Sequence, residues 1–155
     1  MEPTLPMLHT EIRKIAHLQG LKISRYYLLI SMAVGFPCFF SQRSYCTYIF
    51  FFALLAPALL SNIPKKKTDS AASVLATLKK EYAYSNLHYY CLLITFWLTN
   101  FLLIIWQVCN QSRSFSSSFA KQFPLLVLVG NLICYVFVSY YYQFKLHYQL
   151  KNNRW

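Results

Sequence analysis

Four long runs without a charged residue divide this chain of 155 residues, and they constrain its fold more than any other feature. The runs cover residues 26–42, 44–64, 82–112 and 122–144. An α-helix needs about 20 mainly apolar residues to cross a hydrocarbon core about 30 Å thick. The runs therefore predict an all-α integral membrane protein with four transmembrane helices in two hairpins. The predicted spans are about 25–41, 45–63, 87–108 and 124–144.

The domain organisation follows from these spans. Charged residues make up only 12% of the chain, against about a quarter in soluble domains. The predicted layout is an amphipathic N-terminal segment (1–24), a first transmembrane hairpin (25–63), a basic loop with an amphipathic helix (64–86), a second transmembrane hairpin (87–144) and a basic tail (145–155).

Charge predicts both the orientation and the partners. The net charge is +11, but the basic residues bracket the apolar runs instead of forming a groove, which argues against nucleic acid. Only three basic residues fall on one predicted side, Arg43, Arg113 and Lys121. By the positive-inside rule, the opposite side, with both termini and the central loop, is cytosolic. The predicted partners are a bilayer with anionic headgroups and other membrane proteins.

Tyrosines support the same topology. Tyrosine is enriched where a membrane protein crosses the headgroup region. Seven tyrosines fall at the predicted cytosolic interface and form an expected aromatic belt: Tyr26, Tyr27, Tyr89, Tyr90, Tyr140, Tyr141 and Tyr142. Two structures are consistent with the sequence of the first hairpin. Its prolines, Pro37 and Pro57, indicate either kinked spanning helices or a re-entrant hairpin.

Two segments on the predicted cytosolic side are amphipathic. In the central loop, Val74, Leu75, Leu78 and Tyr82 share a helical face, while Lys79 and Lys80 face away. A stripe of Leu8, Ile12, Ile15 and Leu18 precedes an expected helix end near Gly20. Such helices either lie in the headgroup region or pack on the end of the bundle, and both readings stay open. Three further lysines, Lys65, Lys66 and Lys67, are predicted to contact headgroups.

Two asparagines lie inside apolar runs. Asn100 is about 20 Å from the start of the third span, and Asn131 is about 10 Å from the start of the fourth, at ~1.5 Å per residue. In antiparallel helices the two amides reach the same depth, and we expect them to hydrogen-bond there. Gly130 and Cys134 give the fourth helix a small face for close packing. The alternative is that the amides line a polar path or a ligand site.

The sequence lacks the motifs of several common catalytic and cofactor sites. The sequence contains no phosphate-binding loop, no zinc-hydrolase motif and no nucleophile elbow. It therefore predicts no enzyme activity, no cofactor and no metal site. His88 and His147 both fall near the predicted cytosolic interface, where they could approach each other as ligands or remain ordinary polar residues. The sequon at Asn110 abuts the membrane, so we do not expect glycosylation there.

The order of several segments resembles one family. A basic ISRYY is followed by a hairpin ending in ALLAPALLSNIPKKK, then by LKKEYAYSNLHYYCLL and KQFPLLVLVGNLICYVF. This order, over about residues 24–144, is similar to the Pom/Tts-type transmembrane family of the endoplasmic reticulum and nuclear envelope, whose members partner reticulons. Those proteins carry a long C-terminal region that is absent from this sequence. The resemblance implies a non-enzymatic role in shaping or organising membrane in those compartments.

The sequence thus yields two functional hypotheses. The first is a membrane-organising protein that acts through protein partners and interfacial helices. The alternative is an accessory or stabilising subunit of a larger membrane complex, such as a translocon, a transferase or a transporter.

Overall fold

The computed structural model describes residues 5–40, 48–54, 81–82, 84–111 and 118–151. These residues form three long helices, α1 (Leu5–Phe40), α2 (Asn86–Gln111) and α3 (Ser118–Lys151), and residues 48–54 are also helical. No strand occurs in these ranges. The prediction of an all-α chain is confirmed for the part that the structure describes.

Two helices are long and apolar enough to cross a membrane, Asn86–Gln111 and Lys121–Gln149. They coincide with the third and fourth predicted spans. The fourth begins earlier than expected, because α3 starts six residues before Pro124, which is buried within the helix. The second predicted span lies largely outside the described residues, so the prediction of four spans stays a prediction.

Helix α1 runs without a break through the position where an end was expected. The helix extends over 36 residues, from Leu5 to Phe40, and does not end at Gly20, so the expected helix end near Gly20 is wrong. Gly20 is buried against α3, where a Cβ atom would lie 2.8 Å from the Tyr135 carbonyl oxygen and would also clash with Ser139 Oγ. The glycine therefore permits close helix packing, and its weak helix propensity does not stop the helix.

The contacts between α1 and α3 fix an antiparallel register along nearly their whole length. At one end the rings of His9 and His147 meet, with centroids 4.9 Å apart. Ser24 meets Asn131 near the middle. Gly35 packs against the Phe123 ring at the other end. We call these the histidine end and the Phe123 end of the bundle.

This register corrects the expected aromatic belt. The hydroxyl of Tyr27 lies against Gly130 of α3, which is ten residues from Tyr140. At ~1.5 Å per residue, Tyr27 is about 15 Å away from the level of Tyr140–Tyr142. Tyr26 and Tyr27 therefore form no single belt with the tyrosines of α3. A span beginning at residue 25 would place them at the membrane surface, whereas the register of α1 places Tyr27 beside Gly130.

Two apolar clusters hold the helices together on either side of the middle. At the Phe123 end, residues from all three helices and from segment 48–54 surround the buried Trp106. Its ring stacks on Phe50 and meets Phe51 and Phe123 edge to face. At the histidine end, a second cluster joins Ile12, Ile15, Leu18, Leu21, Tyr84, Leu92, Phe96 and Leu146.

Candidate functional site

A polar layer crosses the bundle between the two apolar clusters. Asn131 on α3 is fully buried, and its Nδ2 donates a hydrogen bond to Asn100 Oδ1 on α2 at 3.1 Å. Ser24 on α1 donates from its hydroxyl to Asn131 Oδ1. One amide thus connects all three long helices, and the hydrogen bond expected between the two asparagines is present.

The other polar groups of this layer bond within α2. Asn100 Nδ2 donates to the Phe96 carbonyl oxygen at 2.8 Å, and Thr99 Oγ1 donates to the same oxygen at 2.9 Å. Thr95 Oγ1 donates one turn earlier, to the Cys91 carbonyl oxygen at 2.7 Å. A buried polar group without a partner is costly, so these bonds make the layer compatible with its apolar surroundings.

A small cavity lies beside the layer, between α1 and α2. Its polar lining consists of Ser24, Arg25, Thr95, Thr99 and Asn131, and its apolar lining includes Leu21, Leu28, Leu92 and Phe96. By volume it holds about one water molecule. The hydroxyl oxygens of Thr95 and Thr99 keep free lone pairs, and the Arg25 guanidinium supplies donors, so the cavity suits a polar occupant.

The sequence did not predict that Ser24 and Arg25 belong to this layer. Both precede the first uncharged run, and a span starting at residue 25 placed them at the membrane surface. The signal that could have found them is the spacing of Leu21, Ser24 and Leu28. It puts a hydroxyl between apolar residues on one helical face.

The other predicted packing residues have different surroundings. Gly130 lies against the Tyr27 ring of α1, so its small face serves the contact between α1 and α3. Cys134 is a half-buried free thiol.

Only one of the predicted interfacial residues falls within the described ranges. Tyr82 is half-buried, accepts a 3.1 Å hydrogen bond on its carbonyl oxygen from Lys22 Nζ, and meets Tyr142 edge to face. Burial, with Glu81, Tyr142 and Tyr141 nearby, raises the pKa of Tyr82. Its neighbours are therefore α1 and α3. The remaining predicted residues lie outside the described residues: Val74, Leu75, Leu78, Lys79, Lys80, Lys65, Lys66 and Lys67.

The histidines pair differently from the approach considered for His88 and His147. The His147 ring meets His9 of α1 instead. His17 Nδ1 lies 2.8 Å from the Tyr135 hydroxyl, which joins α1 to α3 a second time. Within the described ranges, no group of three or more His, Cys, Asp or Glu residues could hold a metal ion.

Tyr84 lies just before the start of α2, and Asn110 lies near its other end. Tyr84 is buried, and its hydroxyl donates to Asn86 Oδ1 at 2.6 Å. Burial and the Glu11 carboxylate raise the pKa of Tyr84 to about 12. Asn110, the asparagine of the sequon, is only 2% exposed, so the folded helix does not present its amide to solvent.

The outward faces of α2 and α3 are apolar over most of their length. On α2 the exposed large side chains include Ile94, Trp97, Leu98, Phe101, Ile104 and Val108. On α3 they include Leu125, Leu126, Val129, Leu132, Ile133, Val136, Phe137 and Phe144. At ~1.5 Å per residue, these faces extend about 21 Å and 29 Å along the two helices. The second length is close to the ~30 Å hydrocarbon thickness of a bilayer.

Comparisons of the chain with protein-family models, with curated proteins and with solved structures found no match.

Proposed function

We propose that this protein is a non-enzymatic, multi-pass membrane protein that organises or shapes membrane through protein partners and interfacial helices. The observation that carries the proposal is the distribution of polarity in α2 and α3. At mid-length, the amides of Asn100 and Asn131 and the hydroxyl of Thr99 are buried and hydrogen-bonded, while large apolar side chains cover the outward faces of both helices. An apolar surface of this extent is unfavourable in water and favourable in lipid.

The proposed topology has four spans, with both termini and the central loop in the cytosol. Its support is the one-sided distribution of basic residues. The endoplasmic reticulum or the nuclear envelope is the proposed location, in line with the resemblance to the Pom/Tts-type family. In that setting Lys65, Lys66 and Lys67 attract anionic headgroups at about 1 kcal/mol each.

A tag-accessibility experiment tests the topology. Each terminus carries an epitope tag, and cells are permeabilised at the plasma membrane only. We expect antibodies to reach both tags, and the protein to stay in the membrane pellet after alkaline carbonate washing. Release by carbonate would contradict membrane insertion, whereas one protected tag would contradict only the topology.

The interfacial helix is tested separately from insertion. Replacing Leu75 and Leu78 by Glu removes the apolar face of the predicted helix, and we expect membrane shape to return to that of cells without the protein. Ser73 and Thr77 share the opposite face with Lys79 and Lys80. Replacing them by Gln is the control, because it changes this face without adding negative charge beside anionic headgroups, and it leaves the activity intact. Unchanged membrane shape in the Leu75/Leu78 variant would contradict the interfacial mechanism.

The alternative function, an accessory subunit of a larger complex, is favoured by one feature of α3. Phe137 and Phe144 are 74% and 75% exposed, one above the other at helical spacing. Lipid chains accept leucine as readily as phenylalanine, whereas a protein interface depends on the shape of its aromatic anchors.

Affinity purification in mild detergent separates the two functions. A stoichiometric complex that is lost on Phe137→Leu with Phe144→Leu, but kept on Ile94→Leu with Ile104→Leu, identifies an accessory subunit. Recovery of the protein alone, or with substoichiometric membrane-shaping partners, supports the organising role.

A further inference from the structure

The two longest helices lie side by side but differ in charge at the same height. Between Ser24 and the histidine end, α1 carries three basic residues, Arg13, Lys14 and Lys22, with Arg25 just beyond Ser24. The one acid of this stretch, Glu11, pairs with Lys14 at 3.5 Å. The matching part of α3, from Asn131 to His147, carries a single charged residue, Lys145, close to its end. Their register is fixed at three points in this stretch, by His9 and His147, His17 and Tyr135, and Ser24 and Asn131.

The outward side chains repeat this contrast. On α3 the stretch exposes Leu132, Ile133, Val136, Phe137 and Phe144. On α1 Arg13 is exposed, and Lys14, Lys22 and Arg25 are half-buried. From Arg13 to Arg25 is twelve residues, or about 18 Å at ~1.5 Å per residue. Over about 18 Å, therefore, α3 exposes apolar side chains, whereas α1 carries four basic residues around its surface, interspersed with the exposed Ile23 and Tyr26. We call this part of α1 its cationic flank.

A bilayer of uniform thickness cannot surround the apolar side chains of α3 with hydrocarbon and the basic side chains of α1 with headgroups at the same height. A basic side chain at the centre of a membrane helix costs about 2.5–3.5 kcal/mol, unless headgroups or water reach it. Lysine and arginine reduce this cost by extending toward the nearer surface. Side chains on a helix tilt toward its N-terminus, which for α1 is the histidine end, and Lys22 Nζ does bond there to the Tyr82 carbonyl oxygen.

The small cavity lies where this cationic flank meets the polar layer. Arg25 lines it together with Ser24, Thr95 and Thr99. Beyond this level the apolar cluster around Trp106 fills the bundle. Polar groups therefore continue along α1 from the histidine end to the polar layer. They stop at the apolar cluster around Trp106.

We propose that the cationic flank of α1 is a binding surface for anionic phospholipid headgroups, which it draws into the bilayer as far as the polar layer. The leaflet at the histidine end is then thinned beside α1 and keeps its full thickness beside α3. This inference rests on the proposed function, since it requires α2 and α3 to span the bilayer. It adds the lipid class that is recognised, the helix that recognises it and the side of the bundle on which the membrane deforms.

Nitroxide probes at Ile23 and Ile133 test the difference in depth. Ile23 and Ile133 are exposed apolar residues within one helical turn of the bond between Ser24 and Asn131, one on each helix. Each is replaced by a labelled cysteine in the full chain, with the five native cysteines changed to alanine. The protein is reconstituted in vesicles of phosphatidylcholine with phosphatidylserine, and collision with a water-soluble nickel chelate is measured. Circular dichroism confirms that each variant is helical.

We expect the nickel chelate to collide several-fold more often with the Ile23 probe than with the Ile133 probe. Equal, low accessibility at both sites would overturn the inference and leave the proposed function standing. Equal, high accessibility would overturn both, because α3 would then not lie in lipid.

Charge variants test the recognition of anionic headgroups. Lys22→Gln with Arg25→Gln should lower the accessibility of the Ile23 probe to the nickel chelate toward that of the Ile133 probe. Omitting phosphatidylserine from the vesicles should also lower the accessibility of the Ile23 probe. Lys121→Gln, an exposed cation beside the Phe123 end, is the control and should change neither probe. If accessibility at Ile23 is independent of both the two charges and phosphatidylserine, headgroup binding by α1 is refuted.

Discussion

The contact of α1 with α3 differs in construction from the contact of α2 with α3. The first uses all three glycines of the chain, Gly20 and Gly35 on α1 and Gly130 on α3, and each accommodates a side chain of the opposite helix. The second contains no glycine among the described residues, and the pair of Asn100 and Asn131 crosses it. The helices α1 and α3 are thus joined by close approach at glycines in addition to the hydrogen bonds of Ser24 and His17, whereas the contact of α2 with α3 relies on the amide pair without a glycine.

The difference shows how a membrane bundle combines two kinds of specificity. Between lipid-embedded helices, association depends on van der Waals packing and on interhelical hydrogen bonds. Small residues set how near two helices come, and a single buried amide pair sets how they align. Asn131 is shared, because it accepts from Ser24 and donates to Asn100. The two contacts therefore meet at one residue.

The largest expected effect comes from filling the close approach at Gly20. Gly20→Ala places a methyl group 2.8 Å from the Tyr135 carbonyl oxygen, a backbone atom that cannot move independently of α3. Overpacking costs about 1–3 kcal/mol, against a gain of ~1 kcal/mol in helix propensity. We expect a net loss of up to about 2 kcal/mol in the free energy of unfolding, measured by SDS titration of the protein in mixed micelles.

Gly130→Ala provides the matched comparison within the same contact. Its methyl group would meet the ring and hydroxyl of Tyr27, the far end of a side chain that can turn away. We expect a change within about 1 kcal/mol, because propensity offsets the displacement. Ala33→Leu, at an exposed site on α1, serves as control and should be neutral. If Gly130→Ala destabilises more than Gly20→Ala, the packing described for α1 and α3 is wrong.

An effect of comparable size comes from removing the shared amide. Asn131→Leu leaves buried partners behind, and an unsatisfied buried group costs about 1–3 kcal/mol. Replacing Asn100 and Asn131 together leaves fewer unpaired groups and should cost less than Asn131→Leu alone. The coupling from this double-mutant cycle should be near the ~0.6 kcal/mol average for membrane proteins.

The hydrogen bond from Ser24 to Asn131 tests the contribution of α1 to the same polar layer. Ser24→Ala should cost about 0.5–1.5 kcal/mol, the usual net value of one hydrogen bond, and Gln122→Ala, at an exposed site within α3, should cost nothing. Strictly additive effects of Asn100→Leu and Asn131→Leu would show that the amides do not interact.

The smallest expected effect is a pH dependence at the histidine end. Because burial and Glu11 raise the pKa of Tyr84 from 10 to about 12, its contribution to stability is complete below pH 10 and is lost as the pH rises toward 12. Ultraviolet titration at 295 nm of Tyr84→Phe against the unmodified protein isolates this phenol. Glu11→Gln should lower the pKa of Tyr84 only part of the way to 10, since burial is the larger cause. A full return to 10 would contradict the burial of Tyr84.

The sequence predicted some of this structure well, for clear physical reasons. The uncharged runs located α2 and α3, because a helix that faces lipid needs an unbroken apolar stretch of about 20 residues. The pairing of Asn100 with Asn131 followed from helix rise alone, since two antiparallel spans of known start have a predictable level for each residue.

The prediction of α1 was less successful. The change from polar to apolar sequence at residue 25 indicated a boundary, but the helix continues across it. Hydropathy reports which residues tolerate lipid and carries no information on which neighbour a residue packs against. The roles of Ser24, Arg25 and Gly130 all depend on the register between α1 and α3, which no local pattern specified.

By itself, then, the sequence determined the helical class, the two apolar helices and the depth at which their amides meet, because these depend on composition and on distance along a helix. Only the tertiary structure decided that α1 is continuous, that its glycines pack against α3 and that its cationic flank lies level with an apolar one. Those features depend on which helix faces meet, and that choice is made by packing and hydrogen bonding between residues far apart in the chain.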